Sequence, residues 1–170
     1  MTSTADTAVA TGSGFSNPVV MSTGMVIRRP VAEVFEAFID PAITSRFWFS
    51  RGSGRVETGA TLTWYWDMYG VHADVEVQEV VPNERISVRW GDENGMTDVE
   101  WLFSPQADGS TYVGITNSGF VGSVDEICAQ ASDSSQGFSF LLAGAKAWLE
   151  HGIELNLVPD RMPSGGALGE

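Results

Sequence analysis

SSQGFSFLLAGAKAWLEHGIELNL, residues 134–157, decides the fold. Phe138, Leu142, Ala145, Leu149, Ile153 and Leu157 recur at steps of three and four, one apolar stripe along a helix. Leu141, Trp148 and Leu155 widen it. Asp133, with Gln136 three residues on, reads as its start, and Pro159 as its stop. About 24 residues make a rod of roughly 36 Å. A face so wide needs a broad partner. Gly144 and Gly152 each cost about 1 kcal/mol against alanine, unless they mark close packing.

Working outward, the partner is a run of strands. Period-two alternation puts Leu62, Trp64, Trp66 and Met68 on one face of 61–68, and Val71, Ala73, Val75 and Val77 on one face of 71–81. Ile86, Val88 and Trp90 follow in 85–90, then Val99, Trp101 and Phe103 in 96–104, and Val113 and Ile115 in 111–118. Residues 19–28 form a first strand, and 54–58 offer a short edge strand. Clean alternation means an antiparallel sheet with one wet face. Between the first two strands, Pro30 opens a short helix with Val31, Val34, Phe35 and Phe38 buried, and Asp40 caps a second from Pro41 to about Phe47. Ser123 with Glu126 is a capping box for a short helix to about Ala131. The expected class is α+β: a curved antiparallel sheet wrapped around the long C-terminal helix. One domain covers 19–159, with a disordered tail over 1–18 and a loose tail over 160–170.

Composition bounds the function. The 170 residues, 43% hydrophobic with six Trp, suit one domain with a real core. A formal charge of -13 argues against nucleic acid and anionic membranes. The single Cys128 makes no internal disulfide, which fits a reducing cytoplasm. Residues 1–18 carry no signal-peptide pattern, and no apolar run reaches about 18 residues.

Four stretches resemble the AHSA1-like (Hsp90-ATPase-activator-homologue) group of the START-like, SRPBCC superfamily of helix-grip domains. They are Pro30 through Asp40-Pro41 to Phe47-Trp48; Gly59 with Leu62; Pro82-Asn83-Glu84-Arg85-Ile86 to Trp90; and Gly137-Phe138, Leu142, Ala145-Lys146, Leu149-Glu150-His151-Gly152. The resemblance covers about residues 20–160. Phe138 stands where the family usually has Trp, and Asn117 where relatives often carry His. The resemblance implies a cavity between sheet and long helix, walled by Trp64, Trp66, Trp90, Trp101, Phe103, Phe138 and Leu142, with Trp48 near the mouth. It also implies three candidate roles: a carrier of a small hydrophobic ligand, a co-chaperone-type module, or a polyketide cyclase- or hydrolase-like enzyme. The first is favoured because four Trp lie on inner strand faces, although the same indoles can simply fill the core.

Among polar candidates, Asn117 shares inward parity with Val113 and Ile115. His72, Asp74 and Glu76 have spacing that can ligate a metal, but their strand-mates point inward, so the trio should face water. Asp98 and Glu100 read alike. His151 reads as surface or cap, and Cys128 as structural. No nucleophile–base pair, carboxylate dyad, metal set or cofactor motif rises above background, which leans away from an enzyme. The exposed outer strand face leaves monomer and homodimer both open, and its acidic residues offer a surface for a chaperone partner.

Overall fold

Seven strands pair antiparallel in the order β1-β7-β6-β5-β4-β3-β2. The computed structural model describes residues 17–163, so the expected tail over 1–18 lies almost wholly outside it. In chain order the elements are β1 (Val20–Ile27), α1 (Val31–Ile39), α2 (Pro41–Thr44), β2 (Arg51–Gly52), β3 (Thr61–Trp66), β4 (Val71–Val81), β5 (Arg85–Asp92), β6 (Gly95–Pro105), β7 (Thr111–Ser118) and α3 (Val124–His151). A single 3-10 turn, Pro159–Arg161, follows. This is the helix-grip arrangement: a curved antiparallel sheet, short helices after its first strand and a long helix last. None of the described helices is long and apolar enough to cross a membrane.

Alternation sets the two faces. Leu62, Trp64, Val75, Val77, Val88, Val99, Trp101, Phe103, Val113 and Ile115 are buried on the inner face. On the outer face Arg89 meets Asp98 at 3.4 Å and Glu76 at 4.0 Å, and Arg85 pairs with Glu79 and Glu100. Two arginines are thus shared among four carboxylates of the outer face, which stays acidic. Two strand expectations need correction. Met68 is not on a strand but in the turn Asp67–Gly70, 40% exposed, because the chain reverses after Trp66. The edge strand is Arg51–Gly52 rather than 54–58, whose backbone turns toward Ala60 instead of running along β3. A β-bulge between Val77 and Glu79 shifts the register and turns Val80 inward.

The long helix also differs from expectation at both ends. It is one continuous element from Val124, with Ser123 and Glu126 forming a complete capping box. Asp133 does not cap anything: its carboxylate pairs with Arg161. The hydroxyl of Ser134 reaches Asn117 on β7. With those polar groups satisfied across the fold, nothing breaks the helix at 132–134. Its end comes at His151, earlier than Leu157, because Gly152 adopts φ 67°. There the Gly152 N–H bonds Trp148 O at 2.8 Å. Ile153 and Leu155 therefore lie beyond the helix, about half exposed. Cys128, expected to be structural, is exposed on α3.

Residues at the end of β1 clamp the C-terminal part of α3. Arg29 Nε and Nη2 donate to the Leu149 and Glu150 carbonyls, at 2.7 and 3.1 Å, capping acceptors the helix leaves open. Lys146 Nζ reaches both Val26 O (2.8 Å) and Glu150 Oε1 (2.5 Å), and the Arg28 N–H reaches the same Oε1 at 2.7 Å. Burial pushes the Glu150 carboxyl pKa up, but the hydrogen bonds from Lys146 and Arg28 and their positive charges outweigh it and hold it below the usual glutamate value. Its stabilising contribution is therefore complete above pH 4.5 and is lost as pH falls through the lowered value.

Gly144 is buried against Phe47: an added Cβ would sit 3.0 Å from Phe47 O and 3.1 Å from Phe47 Cβ. At Gly137 the same Cβ meets nothing within 4 Å. Gly144→Val should lower unfolding free energy by about 1–3 kcal/mol through overpacking, whereas Gly137→Ala should raise it by about 0.5–1 kcal/mol through helix propensity; urea titrations of both variants read the opposite signs. Glu150→Gln should cost about 1–3 kcal/mol at neutral pH, and its deficit relative to the parent should shrink as urea titrations move below pH 4.5.

Candidate functional site

At the end of the sheet where the β3–β4 and β5–β6 turns lie, the N-terminal half of α3 overhangs the inner face and leaves a cavity of about 550 Å3. Its apolar wall is Trp48, Trp66, Trp90 and Phe138, extended by Tyr69, Phe120, Phe140 and Val158. Its polar lining is His72, Asp92, Thr97, Asn117, Gln130, Asp133, Ser134 and Arg161.

Each wall residue comes from a different element. Trp66 ends β3, Trp90 lies on β5, and Phe138 is on the buried stripe of α3. Trp48 follows α2, where the Trp48 N–H bonds Thr44 O at 3.0 Å and the Thr44 hydroxyl bonds Ala37 O at 2.7 Å. Expected near the mouth, Trp48 is only 8% exposed and is the hub of the aromatic cluster. Its ring centroid lies 4.9 Å from Trp64, 5.7 Å from Trp66, 5.8 Å from Trp90, 6.2 Å from Trp101 and 6.1 Å from Phe138.

The nine residues expected as cavity walls thus divide. Trp48, Trp66, Trp90, Asn117 and Phe138 line the cavity. Trp64 and Trp101 lie behind them, buried, their indole N–H groups without an oxygen or nitrogen partner and surrounded by ring faces. Phe103 packs edge-on against Phe35 and Phe38, toward α1, and Leu142 is in the core. These four support the wall and do not line the space.

Asn117 is 2% exposed. Its Nδ2 donates to Asp98 O at 2.9 Å, and its Oδ1 accepts from Ser134 Oγ at 2.8 Å. The Asp98 carbonyl needs a donor, which fixes the amide orientation and leaves Oδ1 for the serine. This side chain ties β7 to α3 beside the cavity. Of the possible metal trio, His72 reaches the cavity rim while Asp74 and Glu76 stay exposed on the outer face. Among the described residues, no three or more His, Cys, Asp or Glu converge into a cage for a metal ion. His151 is exposed at the helix end.

A strap formed by residues 152–163 crosses one side of the cavity. The Tyr69 hydroxyl donates to Val158 O and lies 3.2 Å from Pro159 O, Val158 is buried, and Arg161 pairs with Asp133 on α3. Of the tail expected over 160–170, residues 164–170 lie outside the described residues, while Asp160 and Arg161 are bonded to the fold. Sequence reasoning missed this contribution. The apolar spacing through Ile153 and Leu157 reads as more helix, and nothing local marks Tyr69 as its partner.

Residues 28–139 match the family model described as "Activator of Hsp90 ATPase homolog 1-like protein". The chain belongs to this AHSA1-like family. The match runs from just after β1 through the first half of α3, so it includes Trp48, Trp66, Trp90 and Phe138, while the strap lies outside it. Among solved structures, protein SSP2350 from Staphylococcus saprophyticus is 29% identical, with a TM-score of 0.69 over 81% of this chain and 96% of that one. DynU16, described as a putative protein in the dynemicin biosynthetic locus, is 24% identical with a TM-score of 0.66, over 79% of this chain and 48% of that one. The Aha1 dimer from Colwellia psychrerythraea is 17% identical with a TM-score of 0.66, over 79% of this chain and 98% of that one. No curated protein matches the chain.

Tyr69→Phe removes the hydroxyl that holds the strap and leaves the ring. It should lower stability by about 1 kcal/mol and raise the rate of limited proteolysis within 152–163, read by mass spectrometry of the fragments.

Proposed function

We propose that this AHSA1-like protein binds a small, ring-bearing apolar molecule in the cavity between sheet and α3. One observation carries the reading: three indoles and a phenyl ring from four separate segments form a wall around about 550 Å3 of open space, with polar groups gathered at its rim. Ring walls of this kind hold flat apolar ligands through large buried area and edge or stacking contacts. An enzymatic reading, of the cyclase or hydrolase kind, needs a proton donor in the cavity. Asn117, the inward candidate, is already bonded to Asp98 and Ser134, and of the carboxylates lining the cavity Asp133 pairs with Arg161 and Asp92 is exposed. A co-chaperone reading rests on the family name, and four of the outer-face carboxylates share Arg85 and Arg89.

Titration with the neutral fluorophore N-phenyl-1-naphthylamine tests the proposal. Saturable enhancement of its emission is expected, and Trp90→Ala should weaken binding roughly ten-fold. Emission that rises linearly without saturation, unchanged by the substitution, would overturn it.

A further inference from the structure

We propose that the cavity selects organic cations, such as aromatic or quaternary amines, over neutral and anionic ligands of the same shape; this rests on the cavity reading above. The argument begins with where the positive charge is. The chain has nine Lys and Arg against 22 Asp and Glu. Every one of the nine is ion-paired within the molecule. Only Arg161 lines the cavity, and it is engaged by Asp133. An anion entering there finds no uncommitted Lys or Arg side chain and must shed water without a fixed cationic partner, which is unfavourable.

A cation finds the opposite. Asp92, exposed at the end of β5, lines the cavity, and no basic side chain lies within 4.0 Å of it among the described residues. One of its oxygens accepts from the Asn94 N–H at 2.8 Å, which fixes the carboxylate in place. The same cavity is lined by the indoles of Trp48, Trp66 and Trp90, whose ring faces carry negative potential. A cation over such faces gains roughly three- to thirty-fold in affinity. The formal charge of -13 adds long-range attraction for cations and repulsion for anions. The aromatic wall and the uncompensated carboxylate are independent features, and both favour positive charge.

A matched set of tricyclic probes isolates charge from shape: acridine, N-methylacridinium and acridine-9-carboxylate, titrated by calorimetry near neutral pH. N-methylacridinium should bind roughly ten-fold tighter than acridine, with the carboxylate weakest. Its advantage over acridine should fall on adding salt and should fall about two- to three-fold in Asp92→Asn, a variant able to keep the bond to the Asn94 N–H. Acridine binding as tightly as, or tighter than, its cation would overturn the selectivity and leave the apolar-ligand reading standing. Failure of all three probes to bind would overturn both.

Discussion

The indole of Trp48 is the constraint on which the rest of the structure depends. It belongs neither to the sheet nor to the long helix, yet it touches aromatic rings from both. It reaches them because Asp40 and Thr44 fix the short segment after α1: Asp40 accepts from the Ala42 N–H, and the Thr44 hydroxyl bonds back to Ala37 O. Phe47, one residue earlier, packs against Gly144, where helix and segment come too close for a side chain. One short stretch therefore sets the spacing of the helix above the sheet, and with it the width of the cavity.

The two ends of α3 play unequal parts. The C-terminal end is held by charge and backbone, through Arg29 on its last carbonyls and the Lys146–Glu150 pair on β1. The N-terminal half rests on aromatic rings, on the amide of Asn117 and on the Asp133–Arg161 pair. A rod fixed at one end and propped at the other leaves room under the propped end, and that is where the open space lies. The stretch from Ala145 to Gly152 thus has a mechanical meaning, since Lys146, Leu149 and Glu150 supply the clamp and Gly152 the helix stop.

Much of this was legible in the sequence. Period-two alternation identified the inner faces of the strands, and the stripe through Phe138, Leu142 and Ala145 identified the helix. The failures have separate causes. Asp133 and Ser134 look like a helix start because their natural local partners are backbone N–H groups, but here their partners are Arg161 and Asn117, distant in sequence. Apolar spacing continued past Gly152 into Ile153 and Leu155, where the left-handed backbone of one residue overrides it. The division between wall and support was hidden too. Trp64 and Trp66 share a strand face, and only the curvature of the sheet and the overhang of α3 place one behind and one beside the cavity.

Five of the six tryptophans lie ring against ring, with Trp48 at the centre and centroids 4.9 to 6.2 Å away, while Trp148 stands apart beneath the Arg46 guanidinium. At such separations the electronic transitions of the five couple, and excitation absorbed by any one is shared. The near-ultraviolet optical activity of this protein is then a property of the cluster as a whole. Deleting one chromophore would change the shape of that spectrum instead of subtracting a fifth of it, and Trp148 alone would behave as an independent emitter.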